Sequence, residues 1–310
     1  MNKKAVVVLG PTATHKTKLS LFLAERFPFE IISADSMQFY KEMDIGTDKI
    51  PLSQRKIIPH HLIDIITIEE EFSIAQFKVR AEKIMNEILE RKHYPLIVGG
   101  SGLYIRALTD GFPVEDFAPP DKKLREELSA LSISELRTAA EKIDPLSANR
   151  VGKNDRKRLI RIIEFYRGTG KRLSEVENRK TDFQFLKIGL IKRRDILYGD
   201  IEKRVDEMFE QGFVKEVVGL SEKYGKWSKT ALQAIGYKEI LAYLRGKLSL
   251  DMAKKEIKKR TRHLAKRQTT WFKKEKNVHW INSEDFEHAK KEAVALVGEF
   301  LKPYGGAEGS

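Results

Sequence analysis

Near the start of the chain, Gly10, Pro11, Thr12, Ala13, Thr14, His15, Lys16 and Thr17 have the types and order of residues that hold a phosphate. The backbone N–H groups of such a turn point at an anion, the following helix N-terminus adds partial positive charge, the lysine adds a full one, and the hydroxyl can ligate Mg2+. Gly10, Lys16 and Thr17 fall where the pattern G-x-x-x-x-G-K-[ST] puts them, but its second glycine is replaced by His15. A Cβ there restricts the backbone and is expected to crowd a bound anion, whereas a protonated imidazole would add positive charge. The plain alternative is a strand-turn-helix whose lysine is a solvated cap. The apolar run opening at Ala5 and the apolar-periodic segment after Lys16 supply the strand and the helix on either side.

A second apolar run, Ile31 to Ala34, ends at Asp35-Ser36, giving the strand-helix-strand rhythm of a parallel sheet. Ligands of such sheets sit beyond the C-terminal strand ends, so Asp35 is expected on the same rim as Lys16; taken alone it reads as a helix cap. His60 to Asp64 suggests a short strand, and adjacent His60 and His61 would face opposite ways, which argues for structural or substrate-lining roles over a metal site. Phe72 to Lys92 has helical apolar spacing. Pro95 to Val98 reads as a strand leading into Gly99, Gly100, Ser101 and Gly102, where backbone can approach a ligand before a new helix.

From Pro119 to about Asp182 charged helices replace strands, which marks a helical insertion. Within it Asn154 is expected to cap a helix carrying Lys157, Arg158, Leu159, Ile160 and Arg161, with Arg158 and Arg161 on one face and Leu159, Ile162 and Ile163 holding the helix down. Strand character returns at Leu186 to Ile191 and at Val278 to Ile281. Lys254 to Lys276 is strongly basic and includes His263 and Trp271, a mixture suited to following phosphates and stacking bases.

With 310 residues, the chain is long enough for one large α/β domain with an insert, and its net charge of +13 favours a polyanionic partner. There are no cysteines, which excludes disulfides and thiolate metal sites and fits a reducing cytoplasm. No signal peptide and no membrane-spanning run is read. The expected division is a core over 1–117, the insertion over 118–183, the rest of the core with nucleic-acid-binding helices over 184–302, and a disordered tail over 303–310.

GPTATHKT, SADSMQFYKEMDIGTDK, HHLID, PLIVGGSGLYIRAL, NDRKRLIRIIE, RVDEMFEQGF, LQAIGYKEI and KRQTTWFK follow one another in an order and spacing that resemble the tRNA dimethylallyltransferases, also called tRNA isopentenyltransferases. The resemblance implies an α/β fold, a P-loop NTPase-like parallel sheet flanked by helices with a helical insertion domain. It also implies transfer of a dimethylallyl group from dimethylallyl diphosphate to N6 of the adenosine beside the anticodon of tRNA, with Mg2+ as cofactor. By the same resemblance Lys16 neutralises the diphosphate, Thr17 places Mg2+, Arg204 contacts the diphosphate and Asp35 is the general base, with an ordinary carboxylate pKa. tRNA contacts are implied for Asp35, Ser36, Met37 and Gln38; for Ser101; and for Lys157 to Arg161. They are implied as well for Gln233, Ala234, Ile235, Gly236, Tyr237 and Lys238, and for Lys266, Arg267, Gln268, Thr269, Thr270, Trp271, Phe272 and Lys273. No protein partner is expected, and the chain is expected to act as a monomer. A P-loop nucleotide kinase or ATPase and a non-catalytic tRNA-binding protein stay open as alternatives; the first would not require KRQTTWF or a tRNA-sized basic surface, and the variant reaction of prenyl transfer to free adenylate would leave the basic C-terminal third without a partner.

Overall fold

A computed structural model describes residues 3–113 and 121–302; the tail expected at 303–310 and the Pro119-Pro120 opening of the insertion lie outside them. The strands are β1 (Lys3–Leu9), β2 (Phe29–Ser33), β3 (His60–His61), β4 (Tyr94–Gly99), β5 (Phe183–Ile191) and β6 (Val278–Asn282). They form one parallel sheet in the order β3-β2-β4-β1-β5-β6. A parallel sheet covered on both faces needs strands that are apolar throughout, which is why Val6, Val7, Val8 and Leu9 run without a polar break. The pleat sorts them: Val7 and Leu9 enter the core on one face of the sheet, Val6 and Val8 the core on the other.

Helices α1 (Lys16–Ala24), α2 (Leu52–Arg55), α3 (Ile74–Glu90) and α4 (Gly102–Thr109) belong to the first half of the chain. α5 (Lys122–Ala130), α6 (Ile133–Ile143), α7 (Pro145–Asn149) and α8 (Arg156–Thr169) form the insertion. α9 (Arg194–Glu210), α10 (Phe213–Lys223), α11 (Tyr237–Leu244), α12 (Leu250–Phe272) and α13 (Phe286–Leu301) follow β5. The face carrying Val6 is closed by Leu19 and Leu23 of α1 with Ala293 and Val297 of α13. The opposite face takes Phe77 and Met85 of α3, Ile105 of α4, Phe213 of α10 and Phe272 of α12. α3 starts where a capping box fixes it, Ser73 and Gln76 satisfying each other's backbone N–H. The strand expected to run to Asp64 stops at His61, because Leu62 and Asp64 take left-handed backbone angles (φ 59° and 58°) that end the pairing.

The chain divides into a sheet-bearing unit, Met1–Thr109 with Asp182–Ser310, and an inserted unit, Asp110–Thr181, so the insertion opens earlier than the expected 118. The inserted unit has its own core, built from Leu124 and Leu128 of α5, Leu136 and Ala140 of α6, and Leu159, Ile162 and Ile163 of α8. α8 is capped by Asp155, whose carboxylate accepts from Arg158 N at 3.2 Å, and not by Asn154 one residue earlier. Arg158 ion-pairs with Asp155, while Arg161 bonds the buried Glu164 at 2.7 Å. Leu159, which the resemblance puts within a tRNA-facing segment, is fully buried and with Ile162 and Ile163 holds the helix down, as their apolar spacing predicts.

The N-terminal ends of β2 and β4 are tied at Glu30, whose side chain is 4% exposed. It accepts from Arg91 Nε (2.9 Å) and Nη2 (2.8 Å) and meets His61 Nε2 (2.7 Å) and His93 Nδ1 (3.1 Å). This accounts for His61 as a structural residue. The Arg91 bonds, with the two histidines adding to them against the cost of burial, hold the Glu30 carboxyl at about 2. A carboxylate so depressed stabilises the fold fully above its ordinary pKa and loses that contribution as pH falls toward 2. Glu30→Gln is therefore expected to cost about 2–3 kcal/mol at pH 7 and much less near pH 2, as measured by denaturant unfolding of both proteins at each pH.

Candidate active site

The order of the strands places β1 and β4 side by side while their chain connections depart in opposite directions, the crevice where ligands of open parallel sheets bind. Leu9 pairs with Gly99, and Ser33 of β2 with Val98, so Gly10, Gly100 and Asp35 emerge at one level on the same rim. The expected meeting of loop, carboxylate and glycine turn is what the sheet register produces.

Gly10 has φ +145°, and a Cβ on it would lie 2.5 Å from Leu190 O of β5, so only glycine lets the loop leave the sheet here. The loop then folds on itself: Pro11 O accepts from Thr14 Oγ1 (2.8 Å) and from Lys16 Nζ (2.7 Å). Ala13 and His15 are left-handed, with φ 63° and 66°. His15 thus adopts the angles for which the pattern prefers glycine, a strain on the order of 1 kcal/mol. Its side chain does not serve as a cation. The ring meets Phe286 edge-on at 5.3 Å, Nε2 accepts from Lys192 Nζ at 3.3 Å, and burial followed by the charge of Lys192 lowers its pKa. The cationic imidazole considered from sequence is replaced by a neutral one carrying its proton on Nδ1.

A cavity of about 360 Å3 lies beyond the rim, walled by Thr12, Lys16 and Thr17 of the loop, by Asp35, Ser36, Met37 and Gln38, by Gly100 and Ser101, and by Arg204 of α9. Gln233, Ala234, Ile235, Arg267 and Gln268 are among its other wall residues. Arg204 Nη1 donates to Thr12 Oγ1 at 2.8 Å, fastening α9 to the loop. Enclosure by protein lowers Lys16 to about 8 against the pull of Asp35. Burial raises Asp35, opposed by its bond from Met37 N (3.0 Å) and by the charges of Lys16 and Arg204. The ordinary carboxylate pKa expected for Asp35 is corrected accordingly: this carboxylate is a stronger base than a solvated one.

The second glycine turn receives protein as well as cavity. Side chains of α12 occupy the space in which a Cβ on Gly100 or Gly102 would sit, Gln268 at the first and Trp271 at the second. Gln268 Oε1 accepts from Thr12 N (2.9 Å) and its Nε2 donates to Gly100 O (3.0 Å), so one amide bridges the two loops. Sequence reasoning put Gln268 among tRNA-facing residues and missed this bridge.

α12 is two helices in electrostatic terms. In its first half Lys254 and Lys258 pair with Asp206, Arg260 with Glu239 and Arg262 with Glu202. Toward its end, and just past it, Lys266, Arg267, Lys273 and Lys274 are exposed, with no carboxylate in ion-pair reach among the described residues. A cavity of about 740 Å3 there is lined by Arg106, His263, Lys266, Arg267, Thr270, Trp271 and Lys274, and Arg267 also lines the inner cavity. Thr269 and Thr270 donate back to their own helix, to Ala265 O and Lys266 O, each at 2.9 Å. Phe272 and Tyr237 are interior side chains, Tyr237 donating to Glu216 at 2.7 Å, so within the segments read as tRNA-facing they support the helices. Gly236 is likewise buried at the start of α11, and Lys238 is exposed. His60 Nδ1 bonds Ile58 O at 2.6 Å and its ring lines the inner cavity, in line with a lining role; among the described residues no cluster of metal-binding side chains is found.

A lysine at about 8 gives the loop a pH-dependent grip on anions. Titrating an alkyl diphosphate, fully ionised from pH 7.5 to 9.5, should show affinity falling by up to tenfold per pH unit above about 8. Lys16→Arg is expected to remove the break and Lys16→Ala to remove most binding throughout; isothermal titration calorimetry checks both.

The family model described as IPP transferase matches residues 38–275. The tRNA dimethylallyltransferase of Dictyoglomus turgidum is 46% identical over 282 residues, 89% of this chain and 86% of its own. That of Halothermothrix orenii is 43% identical over 312 residues, 97% of this chain and 94% of its own. Among solved structures, the full-length tRNA isopentenylpyrophosphate transferase of Bacillus halodurans matches with TM-score 0.73 and 38% identity over 97% of both chains. A eukaryotic dimethylallyltransferase acting on tRNA matches with TM-score 0.84 and 30% identity, over 98% of this chain and 81% of the other. With the loop, the carboxylate and the basic helix brought together as described, and this similarity running the length of the chain, the protein belongs to the tRNA dimethylallyltransferase family.

Proposed function

We propose that the protein transfers the dimethylallyl group of dimethylallyl diphosphate to N6 of the adenosine 3′ to the anticodon in tRNA. The observation that carries this reading is the inner cavity with two kinds of wall. One side is the phosphate loop with Lys16, Thr17 and Arg204; the other reaches, through Arg267, the basic groove of α12; Asp35 lies in the cavity between them. A small anion and a polyanion are thereby given separate approaches to one carboxylate.

In the reaction the N6 lone pair forms a bond to C1 of the allyl group as the bond from C1 to the diphosphate oxygen breaks. Lys16 and Arg204 stabilise the charge gathering on the leaving diphosphate, and the cavity holds nucleophile and leaving group in line. N6 becomes acidic as it gains the new bond, and the Asp35 carboxylate, a better base for its burial, takes the proton. The adenine leaves its stack to enter the cavity, at a cost offset by phosphate contacts along the groove. Thr17, a hard oxygen donor beside Lys16 in the walls of both the inner cavity and the loop's own cavity, suits Mg2+. Bound there, Mg2+ would add charge neutralisation on the diphosphate. The proposal has the chain acting as a monomer in the cytoplasm.

Incubation with dimethylallyl diphosphate, Mg2+ and unmodified tRNA, followed by mass analysis of the nucleosides, tests the reaction directly; an unaltered adenosine would refute it. Asp35→Ala should leave tRNA affinity within a few-fold and slow single-turnover transfer by about a hundredfold or more, and near-normal transfer would remove Asp35 from the mechanism. Replacing Lys266 and Arg267 together by alanine should flatten the dependence of log tRNA affinity on log salt by roughly one to two units. Donor affinity should hardly change, and an unaltered slope would mean that this end of α12 is merely solvated.

A further inference from the structure

The loop Asp44–Asp48 carries a carboxylate that the mechanism does not use. Among the described residues Asp48 is the only carboxylate in ion-pair reach of Arg204, its Oδ2 lying 3.3 Å from Nη2. It is firmly placed. Its backbone is left-handed (φ 53°), its N–H donates to Ile45 O at 3.1 Å, and the N–H groups of Asp44, Ile45 and Gly46 all donate to the carboxylate of Glu216 on α10, at 2.9, 2.6 and 3.2 Å. Asp48 lines both the inner cavity and the cavity of the phosphate loop, as do Lys16, Thr17 and Arg204 and no other residue. A negative charge therefore stands on the path of a negatively charged donor.

Charge counting gives it a purpose. Over the described residues lining the two cavities, Lys16, Lys18, Lys203, Arg204 and Arg267 carry positive charge and Asp35, Asp48, Asp200 and Glu207 negative, so the walls sum to about one positive charge with Asp48 and about two without it. A fully ionised alkyl diphosphate carries three negative charges, and its complex with one Mg2+ carries one. Resting on the donor-site reading above, we infer that Asp48 is a selectivity residue that makes the site accept dimethylallyl diphosphate as its Mg2+ complex and disfavour the bare ester. Against the complex the site is charge-matched. Against the bare ester Asp48 repels the phosphates and competes for Arg204, a penalty that the metal removes.

The test is calorimetric titration of the full chain with dimethylallyl diphosphate in the absence of tRNA, in Mg2+ and in EDTA, for the wild type, Asp48→Asn and Asp48→Ala. Both variants should bind the bare ester about tenfold more tightly than the wild type while changing affinity for the Mg2+ complex by less than about threefold. Equal tightening in both conditions would reduce Asp48 to a contribution to net charge, and no change in EDTA or a weakened Mg2+ complex would overturn the inference. Lys16→Ala separates the two readings. If that variant binds the ester as well as the wild type, the donor-site assignment falls and this inference with it; if binding is lost while Asp48 leaves the Mg2+ dependence unaltered, only the inference falls.

Discussion

One side-chain amide holds the site's parts in register. Gln268 must accept from the phosphate loop and donate to the second glycine turn at once, which a carboxylate cannot do and an aliphatic side chain cannot begin to do. Because Gln268 sits on α12, the bond that spaces the two loops also fixes the basic helix against them. Arg267 precedes it and Trp271 lies one turn on, filling the notch left by Gly102. The anion site and the polyanion surface are thus set from a single point, and the glycines are small mainly so that α12 can come close enough to make the connection.

Enclosure does the electrostatic work. Lys16 and Asp35 are each pushed toward neutrality by burial, and each is partly restored by the other's charge. A diphosphate arriving beside them reverses the pressure on Lys16 by supplying the negative charge it lacks. On the proposed reading, a bound diphosphate would keep Lys16 charged over a wider pH range than its own value of about 8 allows. His15 follows the same pattern: beside Lys192 burial keeps it neutral, so it adds nothing to the charge of the loop while its position costs backbone strain.

Much of this was legible in the sequence because it is local. Buried parallel strands read as unbroken apolar runs, the loop between β1 and α1 has its residues in order, and α3 announces its start through Ser73 and Gln76. Asp35 could be placed on the rim with Lys16 because strand ends in such sheets converge. What escaped were contacts between distant segments. The Gln268 bridge spans 256 residues, and no local pattern distinguishes it from its neighbours Lys266 and Arg267. The sorting of α12 into a paired half and an unpaired half depends on carboxylates of α9 and α11, and a matching segment does not say that side chains such as Tyr237 and Phe272 within it point inward. Asp48 lies within the run MDIGTDK, but its significance depends on Arg204, far along the chain.

The sheet order bears on how the chain is made. β1 lies between β4 and β5, so the first strand synthesised waits for partners that begin at Tyr94 and Phe183. At about 5–20 residues per second, the interval from Leu9 to Ile191 is roughly 10–40 s. The inserted unit, by contrast, finds its whole core between Leu124 and Ile163 and is complete before β5 leaves the ribosome. It is equipped to fold as a nascent unit while Val6 to Leu9, with β4 already made on one side, still lack β5 on the other, an open apolar edge that invites aggregation or a chaperone. The phosphate loop is thus attached to the strand whose second edge stays open longest during synthesis.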